Sequence, residues 1–137
     1  MKTTNSTRLV VSALIRKGRP GEAFIAAKLE KRELLPVEIR QLIKASIRSG
    51  RYVGALQAAR LAGRKLTNSE VEQLIQASIG VGLVLDALRA AKLVSRKLTS
   101  LEARRLMHSC LRNGWLADAH KAANILQKSE TQCNHSR

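Results

Sequence analysis

Gly18, Gly50, Gly82 and Gly114 stand 32 residues apart, and their surroundings recur with them. Ala23, Ala55, Ala87 and Ala119 follow five residues after each glycine, and Val10, Leu42, Leu74 and Leu106 precede it by eight. Small pairs, Ala26/Ala27, Ala58/Ala59, Ala90/Ala91 and Ala122/Ala123, recur in the same register. A period of this length constrains the fold more than any local motif, because one unit cannot bury its own apolar face and must stack on its neighbours. Four units fill about 3–34, 35–66, 67–98 and 99–128, giving one domain over 1–128. The polar segment 129–137 is expected to be a disordered tail.

Inside one unit the pattern is helical. Ile39, Leu42, Ile43, Ser46 and Ile47 share a face and lead into Gly50, a helix-ending residue. The following run puts Val53, Leu56, Ala59 and Ala62 on one side and Arg60 and Arg64 on another, which predicts a second helix and a tight turn between the two. Thr67-Asn-Ser-Glu70 and Thr99-Ser-Leu-Glu102 fit a capping box, Leu35 precedes Pro36 at the matching place, and Thr3 holds that column in the first unit. The alanines at 55, 58 and 59 allow close helix approach. The expectation is an all-α chain of about eight helices, paired as helix-turn-helix units.

Leu42-Ile43, Gly50-Arg51 and Ala55-Leu56, with equivalents in the other units, resemble the helical-hairpin repeats of the tetratricopeptide and pentatricopeptide superfamily over about residues 3–128. That resemblance implies a right-handed α-solenoid. The unit is a little shorter than in either family, and the tetratricopeptide aromatics and closing proline are missing. In pentatricopeptide proteins the position two before the leucine reads a base and is usually small and polar; here it holds Arg8, Arg40, Glu72 and Arg104, so the architecture carries over and the base code does not.

Charge directs the functional expectation. Twenty-five Lys and Arg against ten Asp and Glu give a net charge of +15, which points to a polyanionic partner: nucleic acid, an anionic membrane surface or an acidic protein. The cations also keep register. Besides Arg8, Arg40 and Arg104, columns are formed by Arg16, Arg48 and Arg112, by Lys28, Arg60 and Lys92, and by Arg32, Arg64, Arg96 and Lys128. Arg40, Lys44 and Arg48 line one helix face, as do Arg104, His108 and Arg112. For Arg32 and its equivalents, a role as cations at a negative helix end competes evenly with ligand binding. The other columns are expected to align as a ladder for phosphate, with little base preference, because Phe24, Tyr52 and Trp115 are the only aromatics. RNA is favoured over DNA through the family resemblance alone. The third unit interrupts the ladder with Glu72, Gln76 and Gly80, and the glycines flanking Val81 are expected to loosen that helix end.

The alternative is an adaptor or chaperone of the tetratricopeptide kind that grips an acidic peptide or helix with the same arginines. Membrane-surface binding ranks third, since no exposed bulky apolar residues are evident beside the basic columns. No catalytic residues, metal or cofactor are expected: His108 and His120 fall on separate predicted helices and His135 in the tail, without ligand spacing. Cys110 and Cys133 form no disulfide framework, and Cys110 is expected to pack inside. With no apolar run of membrane-spanning length, the expected setting is cytoplasmic.

Overall fold

The computed structural model describes residues 10–135, with side chains as far as Ser129. It contains eight helices and no strand among the described residues: α1 (10–16), α2 (Pro20–Leu29), α3 (Pro36–Arg48), α4 (Tyr52–Leu61), α5 (Asn68–Val81), α6 (Val84–Leu93), α7 (Ser100–Arg112) and α8 (Leu116–His135). Thr3 and Arg8 lie outside the described residues.

The starts follow from chemistry at the caps. Thr67 Oγ1 accepts from the Glu70 backbone N–H while the Glu70 carboxylate accepts from the Thr67 N–H, and Thr99 with Glu102 repeats the arrangement. At α3 leucine cannot accept, so Glu38 supplies half the box by accepting from the Leu35 N–H, and Pro36 opens the helix.

The stops obey one rule, used twice in each of the first three units and once in the fourth. α3 closes with Gly50 at φ +72° and the Arg51 N–H donating to the Ser46 carbonyl; α4 closes with Gly63 at φ +70° and the Arg64 N–H donating to the Ala59 carbonyl. Lys31 and Ser95 take the place of Gly63 in their units at φ 57° and 53°, an unusual conformation for side-chain-bearing residues. Gly80 does not shorten α5, which runs to Val81. Nor does the chain become a tail at 129: α8 continues to His135, because Lys128 to Gln132 contains helix formers and neither glycine nor proline.

Sequential helices pack as pairs, α3 on α4, α5 on α6 and α7 on α8. α3, α5 and α7 also touch in succession, as do α2, α4, α6 and α8, so odd and even helices form two adjoining rows. The rows contribute differently to the core. Odd helices bury bulk, with Leu42, Ile43, Leu74, Ile75, Ile79 and Leu106 almost fully enclosed. Each such side chain contributes about 2 kcal/mol through burial. Even helices bury alanine: α4 turns Ala55, Ala58 and Ala59 inward, while Val53 and Ala62, expected on the apolar side, are exposed. Alanines predominate in the narrow space between the rows, with Val84 of α6 beside them, and leave residues such as Val53, Leu85 and Leu93 outside.

Neighbouring units lock at the turn glycines. Ser46 Oγ donates to the Gly18 carbonyl, Ser78 Oγ to that of Gly50 and Cys110 Sγ to that of Gly82, each partner 28 residues away. A Cβ on Gly50 would meet Ser78 N at 2.8 Å, so glycine is required there for close approach as well as for φ. Gly114, in the last unit, has nothing within 4 Å of that position.

Candidate nucleic-acid interface

The ends of α2, α4 and α6 determine which arginines are held by acids. Two residues past the α4 C-cap, the tight closure aims Arg64 at the start of α5, where its two Nη atoms donate to the two Glu70 carboxylate oxygens at 2.8 and 3.0 Å. Arg32 donates to Glu38 and to Glu30, and Arg96 donates to both oxygens of Glu102 and both of Glu72. All three also donate to the backbone carbonyl of the next residue. The column is therefore a set of clamps between units. Its arginines do not lie along the even helices, whereas Lys128 stands within α8; the expected helix face pairing Arg60 with Arg64 is broken because α4 ends at Leu61.

These contacts reset the protonation of their partners. Hydrogen bonding from Arg64 lowers the Glu70 carboxyl to about 2 against the opposing effect of burial, helped by the Thr67 backbone. Glu102 is likewise lowered to about 2, chiefly by Arg96, and Glu72 is lowered by the same guanidinium. Arg32, Arg64 and Arg96 are all raised by their carboxylates.

The interruption in the third unit has the same origin. Glu72, standing where other units carry arginine, is the second carboxylate for Arg96, and Gln76 donates to Glu102 at 2.6 Å while accepting from Arg105. Asn113 Nδ2 adds a 2.7 Å bond to the Val81 carbonyl. Glu72 and Gln76 thus tie the α5–α7 junction from the positions that Arg40 and Lys44 hold in α3.

The remaining expected site residues divide between the two rows. Arg16 on α1, Arg40, Lys44 and Arg48 on α3, and Arg104, His108 and Arg112 on α7 are exposed on odd helices. Arg16, Arg40, Lys44 and Arg48 make no ion pair with another described residue. Between α5 and α7 a cleft of about 520 Å³ gathers Arg104, His108 and Arg112 with Arg105. Arg105 was not among the expected residues, because the equivalent positions are Leu9, Gln41 and Gln73 and no column points to it. Lys28, Arg60 and Lys92 sit on even helices, Lys28 lying 4.8 Å above the Phe24 ring. A single ladder comprising every basic column is thus replaced by two sets on two rows.

Exposed bulky apolar residues do accompany the even-row cations, contrary to expectation: Leu29 is 78% exposed, Ile25 60% and Leu85 54%. Tyr52 packs partly against the core, whereas Trp115 is 40% exposed. Cys110 is buried, and burial pushes its thiol pKa up. No group of three or more His, Cys, Asp or Glu residues able to hold a metal occurs among the described residues, and none of the described helices is long and apolar enough to cross a membrane. No family model matches the chain, and no curated protein matches it.

Proposed function

We propose that the chain is a right-handed α-solenoid of four helix-turn-helix repeats, related to the tetratricopeptide and pentatricopeptide group, that binds the phosphate backbone of nucleic acid in a cytoplasmic setting without catalysing a reaction. The surface is the exposed face of the odd helices: Arg16, Arg40, Lys44, Arg48, Arg104, Arg105, His108 and Arg112. One observation carries this: carboxylates satisfy Arg32, Arg64 and Arg96 at the junctions, while the α3 cations face solvent without an acid. Ordinary surface design would intersperse both signs. Basic side chains spaced one helical turn apart, with guanidinium groups two turns apart at Arg40 and Arg48, suit a run of phosphates, and backbone contact requires no aromatic platform. RNA ranks ahead of DNA on the family resemblance.

The test is a salt titration of single-stranded RNA, duplex RNA and duplex DNA with the wild type and an Arg40→Ala/Lys44→Ala/Arg48→Ala variant. We expect log-linear loss of affinity with salt, with the slope reduced by about 2 to 3 in the variant as three phosphate contacts go. An unchanged slope in a folded variant rejects this site. Retention of an acidic peptide against excess RNA that is lost in this α3 variant would move the surface to the adaptor role.

A further inference from the structure

We propose that the even row is a second, separate binding surface, whose grooves between α4 and α6 and between α6 and α8 receive an acidic amphipathic helix from a partner protein. The two grooves, of about 470 and 400 Å³, are one repeat apart and built alike. In the first, Leu56, Leu66 and Leu93 form a floor with Arg60 and Lys65 at the rim; in the second, Leu88, Leu98 and Ile125 form the floor beneath Lys92 and Lys97. Leu56 with Leu88, Arg60 with Lys92, Lys65 with Lys97 and Leu66 with Leu98 are all 32 residues apart. Neither groove has an Asp or Glu among its described lining residues.

Each half of this arrangement excludes other occupants. A phosphate backbone would meet the rim cations but leave the leucine floor uncovered, and no aromatic lines either groove to stack a base. A flat bilayer does not fill a recess whose floor includes the buried Leu98 and the half-buried Leu56, Leu66 and Leu88. A second copy of this chain brings another +15, and Glu38, Glu70, Glu72 and Glu102 are already engaged by arginine. An amphipathic helix with leucine-like residues at i, i+3, i+4 and i+7 and carboxylates on its flanks meets both needs. Its apolar stripe enters the floors, and its acids reach Lys65, Lys92 and Lys97.

The test uses the full chain and a fluorescent peptide of about 15 residues made of leucine and glutamate in that helical pattern. Comparators are a scrambled peptide of the same composition, polyglutamate and phosphatidylserine vesicles. Leu85→Gln/Leu93→Gln alters exposed positions, so folding is retained and is verified by circular dichroism. We expect saturable binding of the patterned peptide, about tenfold weaker binding of the scrambled one, and about tenfold loss in both Leu85→Gln/Leu93→Gln and Lys92→Glu/Lys97→Glu. RNA affinity of the leucine variant should not change, which separates this surface from the odd-row site. Equal binding of scrambled peptide or polyglutamate, indifference to the leucine changes, or leucine-dependent capture of vesicles without peptide binding would overturn the proposal.

Discussion

Arg96 and Arg48 are the same residue type in columns that both repeat every 32 residues, yet they do opposite things. Arg96 lies past the end of α6 and donates five hydrogen bonds, to Glu72, Glu102 and the Lys97 carbonyl. Arg48 lies in the last turn of α3, exposed, without an ion pair to any described residue. Periodicity places both; the acids decide which one holds the protein together. Where an acid is also periodic and within reach, the arginine is structural, and where the matching positions are cationic too, it stays exposed.

The sharpest way to break that contrast is Arg96→Met. Removing it leaves the largely buried Glu102 and its neighbour Glu72 without their cation, and we expect a loss of about 3 kcal/mol in urea unfolding. Affinity for RNA at a temperature where the variant is folded should be unchanged. Arg64→Met should cost less, about 1 kcal/mol, since that arginine has one carboxylate and is more exposed. Equal costs for the two would show that the second carboxylate adds nothing.

Acid titration sharpens the comparison next. Glu70 and Glu102 sit near 2 in the folded chain against an ordinary value of 4.5, so their contribution is fully present above about pH 4.5 and is lost as pH falls toward 2. We expect on the order of 2 kcal/mol to disappear over that window, measured as a fall in the unfolding midpoint. Glu70→Gln should lower stability at neutral pH and flatten the acid limb. An acid limb identical to wild type would mean that the clamps do not govern it.

Glu72→Arg converts one class into the other. It takes one carboxylate from Arg96 and restores a cation to the interrupted column, so stability should fall by about 1 kcal/mol while the salt slope of RNA binding rises by about 0.7 to 0.9. Loss of stability without a steeper slope would place the ligand elsewhere.

The fold was legible where one residue type performs one task in every unit. Gly18, Gly50 and Gly82 announce both the turn and the close approach, and Thr67 with Glu70 announces a helix start. The clamps were half legible: Arg64 and Glu70 both stand in repeating columns, but the capping role accounts for the glutamate and the helix dipole for the arginine, so nothing in the sequence demands that they meet. They meet because the αL closure at Gly63 redirects the chain. The exposed apolar residues of the even row were hidden for a different reason: Val53 fits an inward helical stripe as well as Ala59 does, and the narrow space between the rows takes the alanine.

That closure supports the smallest and most specific expectation. The residue before each clamp arginine is left-handed in every described junction, yet only Gly63 adopts that conformation without the cost of a Cβ; Ser95 holds φ 53° and Lys31 φ 57°. Ser95 is exposed, and its backbone N–H donates to the Lys92 carbonyl, a bond glycine retains. Relief of αL strain outweighs the extra freedom that glycine gives the unfolded chain, so Ser95→Gly should stabilise by about 0.5 kcal/mol, read as a higher unfolding midpoint. The gain should persist in an Arg96→Met background if the closure forms independently of the clamp. If it vanishes there, the clamp itself imposes the left-handed conformation, and the order of cause at the junction is reversed.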